Sequence, residues 1–288
     1  MRIGSRWLHG LVAAAALTLT SVIVWSQPQP SSARPAAAVP ASTRPGPDMS
    51  WQQLYERLTY KEGDKSLPYR LLKPKDYDPS RKYPLVLYLH GSAERGTDNN
   101  GHLCNGVEVF ARPGALAKHP CFVVVPQCPL GDSWVKQLAR TSPQPTEPLR
   151  MAVELIGALG KEFSIDASRQ YVTGISLGGF GTWEALVHFP TTFAAGVPVC
   201  GGGDLSTAAV VAKTPVWVFH GKADVAVPVI LAQQMVRELK KAGGQPKYTE
   251  YPLRGHECWN DAYNEPGLLD WLFQQKRDAA GTQATKKE

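Results

Sequence analysis

Cysteine is scarce in this sequence and missing from its first part. No cysteine precedes Cys104, so the N-terminal region offers no thiol for lipid attachment, and it contains no twin arginine either. The number of cysteines is odd, so the sequence assigns no disulfide pairing, although an exported protein would permit one. The five are Cys104, Cys121, Cys128, Cys200 and Cys258.

The sequence also has little charge and no internal repeat. Charged residues make up 19% of the 288 residues and hydrophobic residues 43%, which is typical of a globular protein. Of the formal net charge of +6, four positive charges come from Arg2, Arg6, Lys286 and Lys287, close to the two ends. The remaining basic excess is too small for the dense patch that nucleic-acid binding requires, so we expect no nucleic-acid partner.

The first residues have the pattern of a targeting segment. Arg2 and Arg6 precede an apolar run at residues 11–25, which is short for a membrane-spanning helix. We therefore predict a signal peptide or N-terminal anchor at residues 1–26 and export to the periplasm or the exterior. The alternative is a membrane anchor at residues 11–25, in which case contact with a membrane depends on the segment staying uncleaved.

Composition divides the rest of the chain into three parts. Residues 27–50 are rich in Pro, Ala and Ser and predict a flexible linker. Residues 51–275 are long enough for one α/β domain with a large core, and they hold every candidate functional residue. Residues 276–288 predict a polar tail.

Hydrophobic patterning in the domain predicts strands that alternate with helices. Continuous apolar strands fit a sheet covered on both faces, and the alternation implies right-handed crossovers. We therefore predict an α/β fold with a mostly parallel, doubly wound sheet and helices on both faces. The predicted strands are 67–74 (an edge strand with prolines at both ends), 85–89, 121–125, 170–173, 193–200, 216–219 and 247–251; the predicted helices include 147–163, the segment ending at 188, 230–242 and 267–274.

The most informative motif is Gly-Ile-Ser-Leu-Gly at residues 174–178. It lies between a predicted strand and a predicted helix, which is the setting of a nucleophile elbow that exposes a serine hydroxyl above a sheet. Glycines are needed there because the sharp turn brings backbone segments too close for Cβ atoms. Ser176 is therefore the candidate nucleophile, with a plain strand-to-helix turn as the alternative.

A carboxylate and an imidazole follow the serine, each on a loop after a predicted strand. Asp224 follows strand 216–219, and His256 follows strand 247–251. The order Ser, Asp, His is that of α/β-hydrolases, and sites in parallel sheets form at the carboxyl ends of strands. His256 is the expected base and Asp224 the residue that orients it.

Other interpretations of these two loops stay open at this stage. Asp224 also fits a turn or a helix N-cap, and His256 also fits a surface loop. His220 is a rival base that we interpret as structural, packed beside the Asp224 loop, and Cys258 is a rival nucleophile outside a strand–turn–helix setting.

The strand at 85–89 ends in His90-Gly91, which is typical of an oxyanion loop. The backbone N–H groups of Leu177 and of Ser92 or Ala93 are the candidate oxyanion donors. An ordinary glycine turn is the alternative, and His90 fits a loop brace better than a catalyst.

Four nearby side chains are candidates for the substrate pocket. Glu94 and Arg95 contact a substrate or brace the loop, and Trp134 and Trp259 line a pocket or pack in the core.

Taken together, these motifs resemble the α/β-hydrolase superfamily. The resemblance is to the branch of predicted peptidases and dienelactone-hydrolase-like or prolyl-oligopeptidase-like carboxylesterases. It is carried by Leu-Pro-Tyr-Arg-Leu at 67–71, His-Gly-Ser-Ala-Glu-Arg-Gly at 90–96, Pro-Gln-Cys-Pro at 126–129, the stretch 171–183, His-Gly-Lys-Ala-Asp at 220–224 and Gly-His-Glu-Cys-Trp at 255–259. It implies a Ser176–Asp224–His256 triad and ester hydrolysis through an acyl-enzyme, with no metal and no organic cofactor.

Three functions are compatible with these residues. The first is an exported serine carboxylesterase acting on small or carbohydrate-linked esters, such as acetyl or feruloyl esters. The second is a serine peptidase on short peptides, which uses the same triad. The third is a non-catalytic binding protein on a hydrolase scaffold.

Overall fold

The computed structural model describes residues 51–277. The predicted signal peptide or anchor, the predicted linker and residues 278–288 of the predicted tail lie outside the described residues. Eight strands form one sheet: β1 Tyr55–Glu62, β2 Lys65–Leu72, β3 Tyr83–Leu89, β4 Phe122–Pro126, β5 Ile165–Ile175, β6 Ala195–Val199, β7 Trp217–Gly221 and β8 Lys247–Tyr251.

The sheet is parallel except at one side. Its strand order is β1-β2-β4-β3-β5-β6-β7-β8, and the neighbours from β4 to β8 pair in parallel. β2 is antiparallel to both β1 and β4. The carboxyl ends of the six parallel strands therefore meet at one edge of the sheet.

Helices cover both faces of this sheet. They are α1 Pro113–Lys118, α2 Glu147–Glu162, α3 Leu177–His188, α4 Ala208–Val211, α5 Ile230–Lys241, α6 Trp259–Tyr263 and α7 Leu268–Gln274. α2, α3, α4 and α5 pack into one hydrophobic core, and α6 and α7 pack into the other. Within residues 51–277, none of the helices combines the length with the hydropathy that crossing a membrane requires.

Strand β3 shows how the sequence produces these two cores. All seven of its residues are buried. Leu85, Leu87 and Leu89 face the first core, whereas Val86 and Tyr88 face the second, because successive side chains of a strand point to opposite faces. This confirms the predicted parallel sheet with helices on both faces.

The prediction for residues 67–74 was wrong in its position within the sheet. The strand is β2, and it lies between β1 and β4 rather than at an edge. Pro68 is tolerated because it lies opposite Gln127, the residue after the end of β4. Its carbonyl accepts from the N–H of Gln127, and its missing N–H costs no hydrogen bond within the β2–β4 ladder. The edge belongs to β1, which the sequence patterning did not reveal.

Candidate active site

Ser176 lies at the turn between β5 and α3 in a strained backbone conformation. Its φ is 50° and its ψ −116°, values that a residue with a side chain seldom adopts. The turn leaves no room for side chains nearby: a Cβ on Gly178 would lie 1.9 Å from the carbonyl oxygen of Leu89, and one on Gly174 would lie 2.5 Å from it. The motif at 174–178 thus forms the expected elbow between strand and helix.

The structure brings Ser176, His256 and Asp224 together. The Oγ of Ser176 lies 2.8 Å from Nε2 of His256, and Nδ1 of His256 lies 2.7 Å from Oδ2 of Asp224. The Asp224 side chain is fully buried, whereas 24% of the His256 side chain is exposed. The imidazole therefore joins a buried carboxylate to a hydroxyl that lies near the surface.

The Asp224 carboxylate is held at both oxygens. Oδ1 accepts from the backbone N–H groups of Ala226 and Val227, at 2.9 and 2.8 Å. Oδ2 faces His256 and also lies 3.2 Å from Nε2 of His220. Both oxygens of this buried carboxylate therefore have polar partners, as buried charged groups require.

The loops that carry Asp224 and His256 pack directly on each other. The N–H of Ala223 donates to the carbonyl of Arg254 at 2.9 Å. A Cβ on Gly221 would lie 2.1 Å from the carbonyl oxygen of Gly255, so only glycine allows this approach. Residues 32 positions apart in the chain, Asp224 and His256, meet because the loops after β7 and β8 are neighbours.

His90 fixes the loop that follows β3. Its Nδ1–H donates to the carbonyl of Gly91 at 2.6 Å, and its Nε2 accepts from the N–H of Cys128 at 3.0 Å. Burial lowers the pKa of His90 to about 4, so the ring is neutral at physiological pH. It contacts main chain at both nitrogens, as expected for a brace.

The candidate oxyanion donors lie at the starts of two helices. Leu177 is the first residue of α3, and Ser92 and Ala93 begin a 3₁₀ turn over Ser92–Glu94. N–H groups at these positions have no acceptor within their own helix. The two segments are close, since a Cβ on Gly91 would lie 3.7 Å from the Cβ of Ser176.

Glu94 and Arg95 both make contacts within the loop region. Glu94 accepts from Nδ2 of Asn105 at 2.7 Å, and burial raises the pKa of its carboxyl against the opposing effect of nearby N–H donors. Arg95 donates to the carbonyls of Ser92 and Asp132, both at 3.0 Å. Arg95 thus links the loop after β3 to the loop after β4.

The two candidate pocket tryptophans have different environments. Trp134 is fully buried, donates to the carbonyl of His90 at 3.0 Å and packs against Gly181, which corresponds to the packing alternative rather than to pocket lining. Trp259 is partly exposed and stands edge-on to His256, with ring centroids 5.6 Å apart. A pocket of about 730 Å³ adjoins His256; it is lined by Leu253, Arg254, Gly255, His256, Glu257, Asn260, Asp261 and Asn264.

The rival candidates are placed differently from Ser176 and His256. All five cysteines are free thiols, and Cys258 is fully buried beneath the histidine loop, where no substrate reaches its sulfur. His220 is also fully buried and contacts Asp224 rather than the serine. Neither is arranged to attack or to deprotonate a bound substrate.

Asn105 and the N–H of Cys128 belong to the site region, and sequence reasoning missed both. Asn105 and Gly106 both have positive φ, 58° and 103°, as the dipeptide Asn-Gly would have suggested. The Asn105-Gly106 turn could therefore have been predicted from the sequence. The hydrogen bond from Asn105 to Glu94 could not, because it depends on tertiary packing.

The sequence also matches a family of known proteins. The Esterase family model matches residues 62–240, which is more than half of the chain. The chain belongs to the Esterase family. No curated protein matches the chain.

Solved structures agree with this family and with the α/β-hydrolase fold. A thermostable esterase is 40% identical with a TM-score of 0.73, over 79% of this chain and 64% of that one. A feruloyl esterase module from Clostridium thermocellum, solved with sinapinate, is 17% identical with a TM-score of 0.59, over 81% and 94%. An acylaminoacyl peptidase from Pyrococcus horikoshii is also 17% identical with a TM-score of 0.59, over 81% and 43%.

The last two similarities concern the fold alone. This chain spans less than two thirds of the length of the thermostable esterase and less than half of that of the peptidase.

Proposed function

We propose that this protein hydrolyses carboxylic esters with Ser176 as nucleophile, His256 as base and Asp224 as the orienting carboxylate. The observation that carries the proposal is the pair of short contacts, 2.8 Å from Ser176 to His256 and 2.7 Å from His256 to Asp224. Asp224 accepts the Nδ1–H of His256, which leaves the lone pair of Nε2 facing the serine hydroxyl.

The reaction proceeds in two acyl-transfer steps. Ser176 Oγ attacks the ester carbonyl carbon while its proton passes to Nε2 of His256. The tetrahedral intermediate collapses, the bond to the alcohol oxygen breaks, and the alcohol leaves with that proton. Water then attacks the acyl-enzyme and loses a proton to His256. The bond between the acyl carbon and Ser176 Oγ breaks, Oγ takes that proton back from Nε2, and the carboxylic acid is released.

Negative charge on the former carbonyl oxygen is stabilised by backbone donors. The N–H of Leu177 supplies one, and the N–H of Ser92 or Ala93 supplies the other. One such donor lowers the activation free energy by about 3 kcal/mol.

The substrates are small or carbohydrate-linked esters, such as acetyl and feruloyl esters. The pocket beside His256 supports this, because amide, carboxylate and guanidinium side chains line it and offer partners to a polar substrate. The similarity in fold to a feruloyl esterase module is consistent with the same class.

Substitution of the nucleophile tests the mechanism. Ser176→Ala is expected to lower kcat for a p-nitrophenyl ester by a factor of about 10⁴ to 10⁶ and to abolish labelling by a fluorophosphonate. The matched control is Ser80→Ala, which removes an exposed serine in the turn after β2 and keeps full activity. Ester turnover within tenfold of wild type in Ser176→Ala would refute the assignment.

A substrate panel separates the esterase from the peptidase. Acetylated and feruloylated sugars are assayed beside blocked short peptides at equal concentration. We expect kcat/KM for the esters to exceed that for the peptides, and the reverse order would favour a peptidase. An intact Ser176 that takes no fluorophosphonate label would favour a binding protein.

Export is a separate part of the proposal and rests on the sequence of residues 1–26. Mass spectrometry of the protein from a fractionated producing cell identifies the N-terminus and the compartment. A full-length, cytoplasmic product would contradict export.

A further inference from the structure

We infer that His220 is a positioning residue that holds Asp224 in place for His256. The inference rests on the proposed function of the Ser176 site. It concerns a buried histidine that neither attacks nor deprotonates substrate.

The tautomer of His220 follows from its partners. Its Nε2 lies 2.9 Å from the carbonyl oxygen of Val227, which can only accept, so Nε2 carries the proton. Nε2 also lies 3.2 Å from Oδ2 of Asp224. The protonated nitrogen is thus beside both the carbonyl of Val227 and the carboxylate.

This arrangement closes a ring of contacts around the Asp224 turn. Val227 donates its N–H to Oδ1 of Asp224 and accepts from His220 through its carbonyl. His220 sits on β7, in the sheet, while Asp224 and Val227 lie on the loop that follows. The histidine therefore anchors the loop to a rigid strand.

The contact falls on the oxygen that matters for the proposed chemistry. Oδ2 receives both His220 and His256, and the side chains of Asp224 and His220 are fully buried. Without His220, Val227 loses its side-chain tie to β7, and Oδ2 keeps no partner but His256, so the carboxylate is held less firmly against Nδ1. A contact of this kind affects the chemical step rather than substrate binding.

The experiment compares His220→Leu with His220→Gln. Leucine removes the donor, and glutamine keeps an N–H at a similar distance from the backbone. We expect His220→Leu to lower kcat 10- to 100-fold, the range seen when a residue that orients a metal-binding side chain is removed. KM should change less than threefold. His220→Gln is expected to recover kcat to within about fivefold of wild type.

The low-field proton resonance of His256 Nδ1–H gives a second readout. We expect it to be lost or broadened in His220→Leu and kept in His220→Gln. If His220→Leu does not fold, His220→Asn serves in its place, because its amide is too short to reach Oδ2.

The matched control is His188→Leu. His188 and Glu184 form another largely buried histidine–carboxylate pair with the same spacing of four residues, at the far end of α3. We expect this variant to lose thermal stability but to keep the kcat and the low-field resonance. A purely structural role for His220 predicts the same behaviour for both leucine variants, and that result would overturn the inference.

The proposed function fails by a different result. If Ser176→Ala keeps its activity, the site itself is wrong. If Ser176→Ala is inactive and His220→Leu has normal kcat, only the role of His220 is wrong.

Discussion

At the scale of single residues, Ser176 shows a conflict between chemistry and backbone conformation. A non-glycine residue in a sparsely populated φ/ψ region costs about 1–3 kcal/mol. Two backbone hydrogen bonds hold the residue there, from its N–H to the carbonyl of Val199 and from Phe180 N–H to its own carbonyl, both at 3.0 Å. The strain is tolerated because only this conformation lifts the hydroxyl towards His256.

Two substitutions at this position measure the strain. Both Ser176→Ala and Ser176→Gly remove the hydroxyl, but glycine adopts φ near 50° without steric cost. We expect the free energy of unfolding of Ser176→Gly to exceed that of Ser176→Ala by about 1 kcal/mol in urea titrations.

The same pair of substitutions at Ser80 is the control. Ser80 has no positive φ, so glycine there should be less stable than alanine, by about 0.5–1 kcal/mol. Equal stabilities of the two Ser176 variants would show that the turn is unstrained.

At the scale of secondary-structure elements, the site depends on how closely β3 and β5 approach α3. The first turn of α3 lies against the carboxyl end of β3, so that Gly178 has no space for a methyl group. Glycines elsewhere have no such constraint: a Cβ added to Gly157 or Gly160 in α2 would meet no atom within 4 Å.

Alanine substitutions in the two helices should therefore have opposite effects. Gly178→Ala is expected to lower the free energy of unfolding by about 3 kcal/mol or more, because the backbone of Leu89 cannot move away without disturbing the sheet. Gly160→Ala should raise it by about 0.5–1 kcal/mol through helix propensity. Thermal unfolding followed by circular dichroism measures both, and a stable Gly178→Ala protein would contradict the tight packing of the elbow.

The elements also show what the sequence could and could not predict. Strands buried on both faces, such as β3 and β4, were visible as continuous apolar runs. β1 was missed because five of its eight residues are charged or polar and its burial is irregular. The two-residue turn Gly63-Asp64 between β1 and β2 was an available hairpin signal, and Gly63 indeed has a φ of 56°.

Strand order and side-chain packing were beyond the sequence. The position of β2 inside the sheet depends on a long-range pairing with β4 that no local pattern encodes. Likewise, only the fold places Trp134 under His90. Trp259 is near His256 in the sequence, which already favours it as the pocket residue, and the fold adds the edge-on contact of the two rings.

At the scale of the whole molecule, buried neutral histidines connect the site to the sheet. His90 and His102 lie with ring centroids 6.0 Å apart between the loop after β3 and strand β4. His102 donates from Nε2 to the carbonyl of Val125 at 3.0 Å. Burial lowers the pKa of His90 to about 4 and that of His102 to about 3, so neither ring accommodates a charge without a structural change.

The whole molecule should therefore lose stability in acid. The unfolded chain protonates these rings near the ordinary histidine pKa of about 6.5, whereas the folded chain does so only near pH 4 and pH 3. Above about pH 6.5 the stabilisation is complete, because both states hold neutral rings. As the pH falls below that value, the unfolded state binds more protons and the free energy of unfolding decreases, by about 1.4 kcal/mol per histidine and pH unit, until the folded pKa is reached.

Replacement of His102 isolates this contribution. Carboxyl groups with lowered pKa values, such as Asp98 and Asp204, also weaken the fold in acid, so the comparison is made between wild type and His102→Gln. The variant keeps an amide donor for Val125 but has no proton to gain. Its free energy of unfolding should therefore fall less steeply between about pH 6 and pH 4, and the two slopes should differ by that of one bound proton, about 1.4 kcal/mol per pH unit. Urea titrations across this range give the slopes. Parallel curves for the two proteins would mean that His102 already carries its proton in the folded state, and the neutral histidine pair behind the site would have to be abandoned.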